Sequence, residues 1–107
     1  MEGDRLEGLY EVVAPTGRRV RAAHLSAPPI GSLRGIRIAE IWDYLFRGDE
    51  LFGLLREALR RRAAGIEIVP YPVIGRIHGP DEARLLAELP QVLARERVGA
   101  VISGVGA

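Results

Sequence analysis

The residues able to do chemistry in this chain fall mainly into three short stretches. Asp43, Tyr44 and Arg47 lie in Trp42-Asp43-Tyr44-Leu45-Phe46-Arg47-Gly48. His78 lies in Ile77-His78-Gly79-Pro80-Asp81, and Ser103, Gly104 and Gly106 lie in Ile102-Ser103-Gly104-Val105-Gly106. An imidazole exchanges protons near neutral pH, so His78 is the one candidate acid, base or substrate contact. The Arg47 guanidinium is suited to a bidentate grip on a carboxylate or phosphate. Gly104 and Gly106 allow the backbone to turn sharply and approach a ligand closely. Each stretch also has a plain structural reading: Asp43 or Asp49 as a cap, Trp42 and Phe46 as core or interface anchors, and the Ser103 hydroxyl satisfied by local backbone.

Several chemistries are excluded. Val101 occupies the first glycine position of a Gly-x-Ser-x-Gly elbow around Ser103. Gly104-Val105-Gly106 does not complete a Gly-x-Gly-x-x-Gly phosphate loop. The chain contains no cysteine, and all 15 basic residues are arginine. It therefore carries no thiol nucleophile, no disulfide framework and no lysine for a Schiff base. Its 2 histidines, His24 and His78, show no metal-ligand spacing, so neither a metal nor a cofactor is expected.

These residues need a scaffold. Residues 1–34 read as an irregular arm: short extended pieces at Leu9–Val13 and Val20–Leu25, a turn at Pro15-Thr16-Gly17 and a stiff Pro28-Pro29 linker, packing on the domain or on a partner. Residues 35–107 read as the α/β domain. Ile36–Ile41 has strand character, and Trp42–Gly48 follows as a loop. Asp49 is placed to cap a helix to about Arg62, with Leu51, Leu55, Ala58, Leu59 and Arg62 at helical spacing and Phe52 and Leu54 broadening the apolar stripe; Gly65 stops it. Ile66–Val69 is a second strand, resuming at Val73-Ile74, with Pro70 and Pro72 at an edge. After the Gly75–Gly79 loop, Pro80, Asp81 and Glu82 start a second helix with Ala83, Leu86, Leu89, Val92 and Leu93 inward and a kink or restart at Pro90. Ala100–Ser103 is a short apolar strand, expected to be buried on both faces. The order β-α-β-α-β, with long crossovers, predicts a partial Rossmann-like parallel sheet. All three candidate stretches then fall at the carboxyl ends of strands, where such sheets bind ligands.

Composition sets the outer bounds. The chain has 107 residues, 48% hydrophobic and 27% charged, with a net charge of +1. That charge gives no electrostatic case for nucleic acid, and no apolar run is long enough for a membrane span. Met1-Glu2-Gly3-Asp4-Arg5 lacks the basic start of a secretory signal, so a cytoplasmic location is expected. Arg60-Arg61-Arg62 reads as a solvated helix end, and Arg18-Arg19-Val20-Arg21 as an exposed part of the arm.

From Arg34 to Ala107 the chain resembles the UGSC-type proteins, named for a selenocysteine- or cysteine-Gly-Ser-Cys motif and related to the selenoprotein B component of glycine, sarcosine and betaine reductases. The resemblance is carried by Pro15-Thr16-Gly17, by Ser32-Leu33-Arg34-Gly35 leading into the first strand, by the polar loop before an Asp49-initiated helix, and by Ala100-Val101-Ile102-Ser103-Gly104-Val105-Gly106-Ala107. It departs at Asp43-Tyr44-Leu45-Phe46-Arg47, where the family commonly has an Asn-x-Lys-Pro-Asn type of sequence, and the redox motif itself is absent. The resemblance implies a seleno- or thiol-redox protein, reductase-like, whose reactive residue would follow Ala107. One source of such a chain is a selenocysteine TGA codon read as a stop; another is a natural first subunit. On this reading the chain contains no catalytic nucleophile and is inactive alone. Asp43, Tyr44, Arg47, His78, Ser103, Gly104 and Gly106 line the pocket. The partner is its own missing C-terminal part, a second subunit or a homo-oligomer, and the substrate a small anion. The alternatives are a non-catalytic α/β subunit that completes a pocket with a partner chain, or a small-anion-binding domain.

Overall fold

The computed structural model describes residues 9–18, 20–24 and 26–106. Its elements are β1 (Arg37–Trp42), α1 (Gly48–Arg62), β2 (Glu67–Val69), α2 (Tyr71–Ile74), α3 (Glu82–Arg95) and β3 (Ala100–Gly104). All three strands are parallel and lie in the order β2-β1-β3. The chain is a small α/β domain with a partial Rossmann-like sheet.

The centre of the sheet is β1, and its side chains alternate between two helices. Ile38, Glu40 and Trp42 point to α1; Arg37, Ala39 and Ile41 point to α3. Ile38, Ala39, Glu40 and Trp42 are all buried. On the α3 side, Ala39, Val69 and Ile74 form a core against which Leu89, Val92 and Leu93 pack. At the amino end of β1, Arg37 clasps α3 to β2: its Nε donates to the Glu96 carbonyl at 2.6 Å and its Nη1 to Glu67 Oε1 at 2.6 Å.

On the α1 side sits a buried charge. Glu40 is 2% exposed and accepts two hydrogen bonds from Arg56, at 2.7 and 2.6 Å, and a third from the Tyr71 backbone N–H at 3.2 Å. A desolvated carboxylate is tolerated only with such partners. The same hydrogen bonds hold the Arg56 guanidinium above its ordinary pKa, with burial opposing.

The buried stripe of α1 is narrower than the expected one. Phe52 is buried against Trp42, with ring centroids 6.4 Å apart, and Leu55 and Leu59 are half-buried, whereas Leu51 and Leu54 are 46% and 65% exposed and Ala58 is also exposed. The α1 helix begins at Gly48 with no side-chain cap; Asp49 sits in the first turn rather than capping it, where its charge still favours the helix. Gly65, at φ 76°, takes the left-handed conformation that closes the segment after the helix.

Three further expectations are corrected. Val73-Ile74 does not resume the strand. Pro70 is extended, Pro72 fits the first turn of α2, and the Gly75 N–H closes that turn on the Tyr71 carbonyl at 2.9 Å. α3 does not restart at Pro90, which lies inside one helix from Glu82 to Arg95. Pro90 and Leu86 are exposed, so water can serve the carbonyl that proline leaves unpaired; Leu86 and Ala83 accordingly face outward. Finally, β3 is not buried on both faces. It pairs with β1 along one edge, no strand lies on its other edge among the described residues, and Val101 is 41% exposed.

The described residues of the arm from 9 to 32 are exposed throughout, including Leu9, Tyr10, Val12, Val13 and Val20. They do not pack on the domain. Residues 1–8, Arg19 and Leu25 lie outside the described residues, and no helix among the latter is long and apolar enough to cross a membrane.

Candidate functional site

A parallel sheet of order 2-1-3 reverses its winding between β1 and β3, and the crevice beyond those two carboxyl ends is where such sheets bind ligands. Here the two ends are tied together by Asp43. Its backbone N–H donates to the Gly104 carbonyl at 3.3 Å, and its Oδ2 accepts the Gly106 N–H at 2.8 Å. Its Oδ1 accepts the Leu45 N–H at 3.1 Å, the two-residue Asx turn that lets the chain leave β1 abruptly. Tyr44, between those two residues, takes a left-handed φ of 66° that costs a residue with a Cβ roughly 1–3 kcal/mol. Its ring is repaid by stacking on Trp42, with centroids 4.4 Å apart and planes 17° from parallel.

The glycines of the β3 turn are required by close approach. A Cβ on Gly106 would lie 2.8 Å from Phe46 Cδ1, and one on Gly104 would lie 3.0 Å from Phe46 Cζ and 3.1 Å from Phe52 Cζ. The turn is thus clamped from two directions, by the Asp43 carboxylate and by the two phenylalanine rings. The third wall comes from the loop after α2. Arg76 bridges to Trp42, and the Ile77 N–H donates to the Trp42 carbonyl at 3.4 Å, which brings His78 beside the end of β1.

Together these elements enclose a concavity of about 360 Å³ lined by Asp43, Leu45, Ile77, His78, Glu82, Val105 and Gly106. The volume suits a small ligand. Asp43 is 5% exposed, and among the described residues it has no ion-pair partner: its two oxygens are held by backbone N–H groups. Two further concavities are smaller. One, of about 160 Å³, lies between Arg56, Arg60, Ile68 and Pro70 on the flank of α1; the other, of about 270 Å³, lies over the Arg37 clasp at the amino ends of the strands. Neither lies at the crevice between β1 and β3.

Of the seven residues singled out in the sequence, Asp43, His78 and Gly106 line this concavity, and Gly104 holds its turn. Three are placed elsewhere. Tyr44 faces the aromatic cluster of Trp42 and Tyr71. Arg47 pairs with Glu50 and with Asp49 at 3.7 Å on the exposed start of α1. Ser103 is exposed on the α3 side of β3, in register with Ile41. The remaining walls, Leu45, Ile77, Glu82 and Val105, carry no motif; Glu82 reads in sequence only as a favourable first-turn charge. Burial raises the pKa of the Tyr44 phenol, as does nearby Tyr71, and Arg76 opposes them.

The concavity offers two carboxylates, one imidazole and an apolar rim. That set can accept hydrogen bonds and pass a proton, but it contains no thiol or hydroxyl nucleophile. No group of three or more potential metal ligands is found among the described residues. Fold and site together define an α/β domain with an open crevice at the β1–β3 reversal. No family model, no curated protein and no solved structure matches the chain.

Proposed function

We propose that this chain forms the N-terminal portion of a UGSC-type seleno- or thiol-redox domain, supplying the pocket walls while further polypeptide supplies the reactive selenol or thiol. The observation that carries this reading is the bare surroundings of β3. Its outer edge is unpaired among the described residues. On the α3 side, Val101 and Val105 are 41% and 76% exposed. On the other side, α1 turns Arg56 and Arg60 toward Ile68 and Pro70 at β2; helical spacing then directs Leu51 and Ala58 to the opposite flank, toward β3, and Leu54 away from the sheet.

Apolar surface is therefore uncovered on both faces of the sheet beside β3, in addition to Val73 on α2 and Leu86 on α3. A strand added there completes the edge. The right-handed crossover leading to it lays a helix over Val101 and Val105, and a second helix on the opposite face covers Leu51 and Ala58. The Gly104–Gly106 turn would then lead into a helix start, where free N–H groups lower the pKa of a thiol. Asp43 and His78 stand beside that place. A cytosolic location fits such chemistry, because thiols stay reduced there.

The bare faces serve equally a separate partner chain that completes the pocket without redox chemistry. The small-anion reading draws less support, since the Asp43 carboxylate already takes the Gly106 N–H. The nucleotide sequence after the Ala107 codon tests the first of these. A TGA codon followed in frame by Gly-Ser-Cys supports the selenoprotein form; without it the redox reading requires a separate chain beginning near Gly-Ser-Cys, and a completing chain that lacks this motif leaves the non-redox partner subunit.

A further inference from the structure

We infer that Asp43 is an internal anion: a positioning residue whose carboxylate occupies the N–H groups of the β1 and β3 turns, fixes the Gly104–Gly106 turn and bars small anions from it. Three observations carry this. First, the carboxylate is buried, yet among the described residues it meets no cation, only the Gly106 N–H at 2.8 Å and the Leu45 N–H at 3.1 Å. Burying an unpaired carboxylate is costly, and two backbone donors are its compensation. Second, those donors belong to two different loops, one after each strand, so the carboxylate is the polar link across the crevice. Third, the concavity beside it has no arginine or lysine in its lining; its other ionisable groups are His78 and Glu82. A free anion entering here would meet two carboxylates and find its best donor taken.

The turn is consequently held in one shape before anything binds. The Phe46 and Phe52 rings press on it from the α1 side, and the carboxylate pulls from the β1 end. The inference deepens the site assignment above, resting on the turn being its centre, and adds a selectivity: the crevice takes a neutral or donor-bearing group, not a phosphate or carboxylate.

The test uses the whole chain and the backbone amide resonances of Gly106 and Leu45. In the parent protein both are expected to be protected from exchange and indifferent to inorganic phosphate. In Asp43→Ala the two amides lose their carboxylate: their exchange accelerates at least about tenfold, and their resonances move upfield. Sodium formate then fills the vacated space and restores both resonances, whereas sodium chloride at equal ionic strength does not. A merely structural role does not produce rescue by formate. If Asp43→Ala does not fold, the isosteric Asp43→Asn decides: its NH2 group faces one of the two donors, so one amide must lose protection while the other keeps it. The inference is overturned if phosphate shifts the parent Gly106 amide, if formate acts no differently from chloride, or if Asp43→Asn leaves both amides unchanged. None of these results bears on whether β3 acquires a neighbouring strand, which the downstream nucleotide sequence decides separately.

Discussion

The two flanks of β1 are built on opposite terms. Toward β2, the sheet is finished: Glu40, Arg56 and Tyr71 satisfy one another, Arg37 clasps Glu67 and Glu96, and a proline stops the edge strand after three residues. Toward β3, backbone and apolar side chains are left facing outward on both sides of the sheet. On the proposed reading, stability resides mainly on the first flank and the capacity to bind on the second. Substitutions on the two flanks should separate accordingly, one group unfolding the chain and the other leaving it folded but unable to associate.

The largest effect belongs to the finished flank. Arg56→Ala strands the buried Glu40 carboxylate beneath the sheet, and breaking one side of a buried pair costs about 3–5 kcal/mol. For a domain of this size that is most of the folding free energy, so urea titration should find the variant largely unfolded. Replacing both partners by leucine should restore much of the loss, because a well-packed apolar pair is often neutral or better. A folded Arg56→Ala would show that this flank does not carry the stability.

The next effect tests the hinge between the flanks. Gly106→Ala drives a methyl to within 2.8 Å of Phe46, and Gly104→Ala places one against both Phe46 and Phe52. Overpacking of this kind costs about 1–3 kcal/mol, read as a lower urea midpoint. Phe46→Leu should relieve Gly106→Ala, since its closest neighbour is that ring, but relieve Gly104→Ala only in part, because Phe52 also presses there. Equal relief of both would contradict the geometry.

On the bare flank, Leu51→Glu and Val101→Glu should change the stability of the chain by no more than about 0.5 kcal/mol, the usual range for exposed sites. Each should nevertheless abolish association with the polypeptide proposed to cover β3, measured by co-purification once that polypeptide is identified. A large destabilisation of the isolated chain by either would mean that these faces are already in use.

The same division explains what could be read in the sequence. The alternation in Ile36–Ile41, the glycine at position 65 and the apolar run at Ala100–Ser103 fix strand, helix and strand in order, because each is a local pattern with one structural outcome. The width of the α1 stripe was not legible: Leu51, Phe52 and Leu54 all fit an apolar face, and only the contact with Trp42 shows that the Phe52 ring is the buried one. Reading Val73-Ile74 as strand failed because two prolines and a closing glycine hydrogen bond outweigh the β-branched pair. In the site, Asp43, His78 and Gly106 were found because sheets of this type gather loops at one end. Leu45, Ile77 and Val105 were not, since an apolar pocket wall looks like any other apolar residue. Arg47 was misleading, its guanidinium being taken by the acids one helical turn away.

The smallest effect lies where the two flanks meet, at the Trp42–Tyr44 stack. Burial and the neighbouring Tyr71 raise the Tyr44 phenol above its ordinary pKa near 10, with Arg76 opposing. A raised pKa means that the folded chain holds this proton more tightly than the unfolded one. The contribution is fully present below about pH 10; above it the unfolded chain ionises first, and stability falls until the folded phenol ionises too. Tyr44→Phe keeps the ring on Trp42 and removes the proton. Its urea midpoint should therefore match the parent closely at neutral pH and fall less steeply than the parent above pH 10. Parallel alkaline losses in the two proteins would place the phenol in open water and detach Tyr44 from the stack, removing the contact by which the β1 loop is held over the finished flank while its backbone borders the open one.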